Sequence, residues 1–137
     1  MTTATRSEII RAFLPASPFA QRLGLSIERL DADGAELRMP YDAELATFGD
    51  TVHGGAIASL IDTAGMVAAW GDDEPSARAA GATVSMAVDY VAAARGSDLI
   101  ARARVVRRGR SLCFMLVEVA DDDGRVVATG QVCHRFA

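Results

Sequence analysis

The sequence predicts an α+β protein in which an antiparallel β-sheet covers one long helix. Residues 54–70 form an apolar stretch whose single charged side chain is Asp62. Elsewhere apolar and polar residues alternate with a period of two, which indicates strands. Two turn signals, DADG at 31–34 and DDDG at 121–124, join neighbouring strands as hairpins. The predicted order is two strands, the long helix and four more strands, and short turns between strands favour an antiparallel sheet.

Length and composition indicate a single domain with a substantial core. The chain has 137 residues, of which 50 % are hydrophobic and 23 % are charged. We expect an N-terminal helical cap over residues 1–22 and one domain over residues 23–137. The formal charge of −4 argues against nucleic acid as a partner. The two cysteines form no CxxC pair, which excludes a disulfide framework and a cysteine-rich zinc site.

Neither the N-terminal segment nor the apolar stretch 54–70 indicates a membrane protein or an exported protein. Residues 1–14 contain Glu8 and no long apolar run, so we expect no signal peptide and a cytoplasmic location. The stretch 54–70 is shorter than the roughly 20 residues of a membrane span. It also carries an acid in its middle and begins with two glycines. We therefore predict a buried helix and no membrane partner.

The first part of the chain predicts a helical cap followed by a hairpin. Residues 5–22 are expected to be helical, with Ser7 as a start signal and with Pro15 and Pro18 as breaks. Apolar and polar residues then alternate over 25–28 and again over 35–39. Residues 41–52 are expected to form an irregular connection, and GDDEP at 71–75 ends the long helix.

The second part of the chain predicts four strands, over residues 83–91, 99–107, 112–120 and 126–136. Alternation in the second of these places Arg102 and Arg104 on one face, so the outer face of the sheet is expected to be partly exposed to solvent. The third is nearly all apolar, as in a strand buried on both faces. Because the long helix is apolar nearly all round, we expect a curved sheet, or a sheet and a partner subunit, to cover its whole circumference.

Asp62 is the residue that does not fit this apolar helix. A carboxylate is expensive to bury unless something uses it or satisfies it. Its neighbours on the helix surface are Ala58, Ser59, Gly65 and Met66, and three of these are very small. The face around the acid would therefore leave room for a ligand, a water molecule or another chain. A purely structural role is equally open, with Asp62 bonded to Thr63, to a loop amide or to a partner's arginine.

The second candidate feature is His53-Gly54-Gly55 at the start of the same helix. A helix N-terminus presents unpaired N–H groups and partial positive charge. Two glycines would let a ligand approach these groups closely, so the site suits an anion or an oxygen that becomes anionic during a reaction. The alternative is a plain tight turn in which His53 bridges loop carbonyls.

Other catalytic and metal-binding patterns are missing from the sequence. It has no GxSxG motif, and its two histidines are His53 and His134. His134 and Cys133 are adjacent on a strand and point to opposite faces, so we expect no metal site there. Cys113 lies in an apolar strand and is expected to be a packing residue.

Four segments resemble the PaaI-type acyl-CoA thioesterases of the hotdog-fold superfamily. The resemblance covers about residues 20–136 and depends on TVHGGAIASLID at 51–62 and GATVSMAVDY at 81–90. It continues through VRRGRSL at 106–112 and through the last hairpin, with DG at 123–124 and VA at 127–128. The HGG-x6-D core is the most specific part, and it does not specify the acyl group.

The resemblance implies a fold, an assembly and roles for particular residues. In the hotdog fold an antiparallel sheet wraps one long helix, and two subunits join their sheets edge to edge around shared active sites. The Gly54 N–H, with Gly55 as a second candidate donor, would hold the thioester carbonyl oxygen. Asp62 of the opposite subunit would act as general base or nucleophile, and Thr83 would help to place the acid or the water. The turn near coenzyme A would comprise Arg107, Arg108, Gly109, Arg110 and Ser111.

Two departures from the family pattern affect the substrate site. The family often has Asn six residues before the motif histidine and Gly three before it, where this chain has Thr47 and Asp50. Residues 92–94 are alanines where the family commonly has a proline. We expect His53 and Thr47 to contact the substrate. The acyl pocket is expected to be lined by Ala58, Ile61 and Met66, for an aromatic or medium-length aliphatic acyl group.

The resemblance also bears on assembly and on rival functions. We expect a homodimer that pairs into a homotetramer, because a lone subunit would expose apolar surface and strand edges. No cofactor is expected beyond coenzyme A as part of the substrate, and no metal. The alternatives are a hotdog hydratase or dehydratase acting on acyl-CoA, which would need a histidine paired with an acid, and a non-catalytic acyl-CoA-binding protein.

Overall fold

A computed structural model describes residues 3–77 and 80–136 and has the α+β architecture that the sequence predicts. The helices of the described residues are α1 (Arg6–Ala16), α2 (Pro18–Leu23) and α3 (Gly54–Ala69). The strands are β1 (Ser26–Asp31), β2 (Gly34–Met39), β3 (Ala46–Phe48), β4 (Thr51–Val52), β5 (Gly81–Tyr90), β6 (Leu99–Arg108), β7 (Leu112–Ala120) and β8 (Val126–Phe136).

Six strands form one antiparallel sheet that wraps around α3. Their order is β1-β2-β6-β7-β8-β5, so β1 and β5 are the two edges. α3 packs against β2, β6, β7 and β8 on the inner face of this sheet. Apolar residues of the helix meet strand residues there in a buried core, which includes Leu37, Leu60, Val67, Leu99 and Met115. This is the hotdog arrangement that the resemblance implied.

The N-terminal segment is helical, but its boundaries differ from those predicted. Thr5, and not Ser7, caps α1, because Thr5 and Glu8 form a capping box in which each side chain accepts the other's backbone N–H. The helix continues past Pro15 to Ala16. Pro18 begins α2 instead of only breaking α1, since the first turn of a helix does not need its N–H.

The irregular connection predicted over residues 41–52 contains short elements. A single 3-10 turn spans Ala43–Leu45, and β3 and β4 then pair as a two-stranded ladder. This ladder leads directly into α3, and the His53 N–H donates to the Leu45 carbonyl at 2.7 Å. Among the described residues, no helix is long and apolar enough to cross a membrane.

The outer face of the sheet is open in the single chain. Arg102 and Arg104 are exposed, as the alternation predicted. β7 was expected to be buried on both faces, and this was wrong for the isolated chain. Its inner side chains are buried, but Phe114 and Leu116 on the outer face are 42 % and 40 % exposed. No element of the described chain covers that face.

Candidate active site

The loop histidine caps the long helix. His53 is the N-cap residue of α3, and its Nδ1 accepts the Gly55 N–H at 2.7 Å. A side chain at position 55 would put its Cβ 2.9 Å from that nitrogen. Glycine is therefore needed at this position for the cap to form. The Gly55 N–H is used within the chain and is not free for a ligand.

The neighbouring Gly54 amide has a different environment. Its N–H makes no hydrogen bond within the described part of the chain. Its carbonyl accepts a hydrogen bond from the Tyr90 hydroxyl at 2.7 Å, and the Tyr90 ring lies 3.3 Å from where a Cβ at position 54 would be. Of the two donors that the resemblance offered, Gly54 alone is free. Tyr90 is a contact that the sequence did not single out, beyond its place in the 81–90 motif.

A cleft of about 380 Å³ opens beside the start of α3. Thr47, Gly54 and Tyr90 line it, together with residues 91–94. The structure therefore brings Thr47, the residue found where the family often has Asn, into the same cleft as the free amide of Gly54. A hydrogen-bond donor at the positive end of a helix can stabilise an oxygen that gains negative charge.

Asp62 lies in the middle of α3 on a face that the sheet does not cover. It is half-buried, and its Oδ1 accepts a hydrogen bond from Thr83 Oγ1 at 2.6 Å. Thr63, one of the structural partners considered for Asp62, instead donates to the Ser59 carbonyl at 2.8 Å. Asp62 Oδ2 has no hydrogen-bond partner among residues 3–77 and 80–136. One oxygen is therefore held and the other is open.

The open face of α3 is a stripe of small and flexible residues around the acid. Ala58, Ser59, Asp62 and Met66 are all partly exposed along it. Gly65 does not belong to this stripe. It is buried against β8, where an added Cβ would come within 2.8 Å of Val132. Close packing of helix on sheet, and not ligand access, is the reason for a glycine at this position.

Ile61 requires a correction. It was expected to line an acyl pocket with Ala58 and Met66, but it is fully buried. An added Cβ at Gly130 of β8 would lie 2.8 Å from Ile61 Cγ2, which places Ile61 in the core under the sheet. Met66 lines a separate cavity of about 240 Å³ between α1 and the second half of α3.

The arginine-rich turn divides into exposed and buried residues. Arg107, Arg110 and Ser111 are exposed, and Gly109 is partly buried in the hairpin. Arg108 instead reaches the C-terminal end of α3. Its guanidinium donates to the carbonyls of Ala68 and Ala69 at 3.0 and 3.1 Å, and its Nε lies 3.3 Å from Asp72 Oδ2.

This contact places positive charge at the negative end of the α3 dipole. Arg108 also donates to the Ala32 carbonyl at 3.0 Å, which ties the β1–β2 turn to the helix end. The side chain of Arg108 is 17 % exposed. Each of its three guanidinium nitrogens contacts the protein itself, whereas the resemblance implied a contact with coenzyme A.

His134 is a buried residue beside the acid. Trp70 Nε1 donates to His134 Nε2 at 2.9 Å, and His134 is 2 % exposed. Burial holds the pKa of His134 below its usual value, a shift that the charge of Asp62 opposes and that of Arg6 reinforces. Cys113 is fully buried, as expected for a packing residue, and burial raises the pKa of its thiol.

Gly54 and Asp62 of one chain are too far apart to act on the same group. Eight residues separate them on one helix, which corresponds to about 12 Å along its axis. A hydrogen bond and a proton transfer to one ester both need contacts of about 3 Å. The free amide and the acid therefore form two half-sites in the single chain.

Comparisons with known proteins identify the family of the chain. The family described as Thioesterase superfamily matches residues 49–128. A candidate esterase of Halobacterium salinarum is 35 % identical, over 90 % of this chain and 87 % of the relative. Human acyl-coenzyme A thioesterase 13 is 29 % identical, over 96 % of this chain and 95 % of the relative.

Among solved structures, a variant of the phenylacetic acid degradation protein PaaI from Thermus thermophilus superposes with a TM-score of 0.76. It is 26 % identical, and the match covers 88 % of this chain and 100 % of that one. The family match spans more than half of the chain and includes the free amide, the acid and Thr83. The chain therefore belongs to the thioesterase superfamily, as a hotdog-fold thioester hydrolase similar to the PaaI-type acyl-CoA thioesterases.

Proposed function

We propose that this protein hydrolyses the thioester of an aromatic or medium-chain acyl-CoA, with Asp62 as general base or nucleophile and the Gly54 N–H as the oxyanion donor. The observation that carries the proposal is the 2.6 Å hydrogen bond from Thr83 to Asp62 Oδ1 on the open face of α3. It orients a carboxylate whose second oxygen is left for a water molecule or a substrate carbon. The name of the Thermus thermophilus relative, which refers to phenylacetic acid degradation, supports the aromatic option.

The Gly54 amide supplies the second half of the chemistry. Attack on a thioester carbonyl puts negative charge on its oxygen, and an N–H already aimed at that oxygen stabilises the charge without reorganisation. Loss of one such donor in other acyl-transfer enzymes costs about 3–4 kcal/mol of barrier. The adjacent Thr47 and His53 are close enough to this end of the helix to contact the substrate.

The two halves meet when two copies pair along β5. β5 is an edge strand, and its outer edge pairs with no other strand of the described chain. Within one chain, Thr83 near its start contacts Asp62, and Tyr90 at its end contacts Gly54. Antiparallel pairing of β5 with its copy about the strand centre brings the Asp62–Thr83 pair of one copy beside the Gly54–Tyr90 pair of the other. The enzyme is therefore a homodimer with two shared sites.

A second contact surface extends the dimer to a homotetramer. The outer face of the sheet exposes Val106, Phe114 and Leu116, which are 54 %, 42 % and 40 % accessible. Contiguous apolar side chains of this kind on a monomer mark interaction surfaces. We assign this face to the contact between dimers. Both cysteines are free thiols, which suits a reducing cytoplasm.

Two routes are compatible with this arrangement of Asp62. As a general base, Asp62 takes a proton from water, the water oxygen attacks the carbonyl carbon, the C–S bond breaks, and the proton passes to the coenzyme A thiolate. As a nucleophile, Asp62 forms a mixed anhydride with release of the thiolate, and water then cleaves the anhydride. A single turnover in oxygen-18 water labels Asp62 only by the second route.

The coenzyme A nucleotide is assigned to the exposed end of the β6–β7 hairpin. Arg107 and Arg110 are exposed there and have no salt-bridge partner among the described residues, so both are available for phosphates. Gly109 and Ser111 complete the turn. Arg108 supports this hairpin from inside by its contacts with α3.

The decisive experiment compares Asp62→Asn with the wild type over a panel of acyl-CoAs. Asparagine keeps the shape of the side chain but neither accepts a proton nor attacks a carbonyl, so we expect most hydrolysis to be lost with an unchanged unfolding temperature. Asp123→Asn, at the exposed β7–β8 turn, is the matched control. Near wild-type turnover by Asp62→Asn would remove Asp62 from the mechanism. Tight binding of coenzyme A without turnover in the wild type would indicate a non-catalytic binder.

A further inference from the structure

A cavity of about 240 Å³ lies between α1, the second half of α3 and the start of β5. Its walls come from four separate elements. Ile9 and Phe13 belong to α1, Met66 is on α3 with Trp70 at its C-terminal end, Gly81 begins β5, and His134 is near the end of β8. The residues assigned to the chemical steps do not line this cavity. Met66, which was expected to line the acyl pocket, does.

The cavity begins next to the catalytic acid. Met66 follows Asp62 by one helical turn, or about 6 Å along the helix axis. Gly81 precedes Thr83 by two residues on β5, and His134 is the direct cross-strand partner of Thr83. The Asp62–Thr83 pair therefore stands at the border of this space, on the side opposite to the start of α3. A thioester held at Asp62 has its acyl carbons within reach of the cavity.

The lining of the cavity suits an uncharged group. The Trp70 N–H is already donated to His134 Nε2, and His134 Nδ1 is buried without a hydrogen-bond partner among the described residues. Burial lowers the pKa of His134, so the imidazole is neutral at neutral pH. The other named wall residues, on α1, α3 and β5, carry no ionisable side chain. The volume corresponds to about eight groups of water size at about 30 Å³ each.

We infer that this cavity holds the acyl group of the substrate, a linear chain of about eight carbons or an arylacetyl group, and that Phe13 and Ile9 of α1 set its maximum length. The inference rests on the proposed thioesterase function and adds the residues that limit the length of the acyl group. Phe13 is 44 % exposed, so its ring closes the outer side of the cavity and contributes little to the core.

Two variants change the size of the cavity in opposite directions. Phe13→Ala removes the ring that closes it, and Ile9→Phe adds bulk inside it. The controls are Phe48→Ala, which deletes an exposed ring on β3, and Ala12→Phe, which adds a ring to the exposed side of α1. The measurement is kcat/KM for saturated acyl-CoAs from acetyl to palmitoyl, and for phenylacetyl-CoA.

We expect the wild-type kcat/KM to rise by about fourfold for each methylene group buried, and to stop rising near eight carbons. Phe13→Ala should move this limit to longer chains by two carbons or more, and Ile9→Phe should move it to shorter chains. Acetyl-CoA, which does not reach the cavity, should be hydrolysed at the wild-type rate by both variants. Both controls should keep the wild-type profile.

Trp70 provides a readout that does not depend on catalysis, because it is the single tryptophan of the chain and lines the cavity. A non-hydrolysable thioether analogue of octanoyl-CoA should change its emission, and the acetyl analogue should not. If all variants hydrolyse acyl-CoAs with the same dependence of kcat/KM on chain length, and both analogues change the emission equally, the inference is overturned and the thioesterase function stands. A selective emission response without hydrolysis overturns the thioesterase function and leaves the cavity as an acyl site.

Discussion

Replacement of Thr83 by valine removes the one hydrogen bond that holds Asp62 and leaves a side chain of the same shape. Thr83 Oγ1 lies 2.6 Å from Asp62 Oδ1, and no other described residue bonds to that carboxylate. A hydrogen bond to a charged group contributes about 1.5–3 kcal/mol. If the whole contribution orients Asp62 for the transition state, Thr83→Val lowers kcat/KM by about 12- to 140-fold, at about 1.4 kcal/mol per factor of ten.

The assay is steady-state release of coenzyme A thiol with octanoyl-CoA, with kcat and KM determined separately. We expect the loss in kcat, because Thr83 positions the acid and does not hold the substrate. Thr83→Ser keeps the hydroxyl and should recover most of the activity. Thr63→Val is the matched control, since it deletes a hydroxyl on the next residue of α3 that bonds only to the Ser59 carbonyl. A fall of less than threefold for Thr83→Val, or an equal fall for Thr63→Val, refutes the positioning role.

Two further predictions concern stability. Gly65→Ala gains about 1 kcal/mol of helix propensity but places a Cβ 2.8 Å from Val132. Overpacking of this kind costs about 1–3 kcal/mol, so urea unfolding should show a net loss of up to about 2 kcal/mol. A stabilised Gly65→Ala variant contradicts the close-packing explanation. Burial lowers the pKa of His134, so unfolded chains bind a proton that folded chains exclude as the pH falls. The contribution of neutral His134 to the free energy of unfolding is fully present above its unfolded pKa of about 6.5. Below that pH the contribution is lost, and the free energy of unfolding falls by at most about 1.4 kcal/mol per pH unit. Urea unfolding between pH 5 and 8 should therefore show a shallower slope for His134→Asn than for the wild type, and equal slopes would contradict a neutral buried His134.

Much of the sheet is predictable because strands such as β6 and β7 alternate between buried and exposed side chains. The nearly all-apolar run at 112–120 and the DDDG turn signal at 121–124 predict strands over 112–120 and 126–136, and these are the observed bounds of β7 and β8. The start of α3 is also predictable, since His53 and two glycines interrupt the strand pattern there. The start of α1 was less clear, because Thr5 and Ser7 are both good N-cap residues and only Thr5 has an acid three positions later.

The candidate site was predictable in its residues but not in its geometry. Asp62 stands out as a charge in an apolar helix, and the family motif points to Gly54 and Thr83. The rotation of α3 against the sheet was not predictable, because a helix that is apolar nearly all round gives no clear sign of which side is inward. This is why Ile61 was expected at the open face and is in the core, and why Gly65 was expected beside Asp62 on the open face and packs against β8.

Two β-bulges explain why the side chains of Thr83 and Arg108 point to the face opposite to the one that regular strand alternation predicts. Thr83 and Tyr90 both contact α3, yet they are seven residues apart, and an odd separation puts two side chains on opposite faces of a regular strand. The extra residue Val84 lies in a bulge between Thr83 and Ser85 and turns Thr83 inward to Asp62. In the same way a bulge at Val106 turns Arg108 inward, whereas Arg102 and Arg104 of that strand face outward. Neither bulge contains a glycine or proline that would reveal it in the sequence, so the direction of both side chains depends on pairing between strands that are distant in the chain.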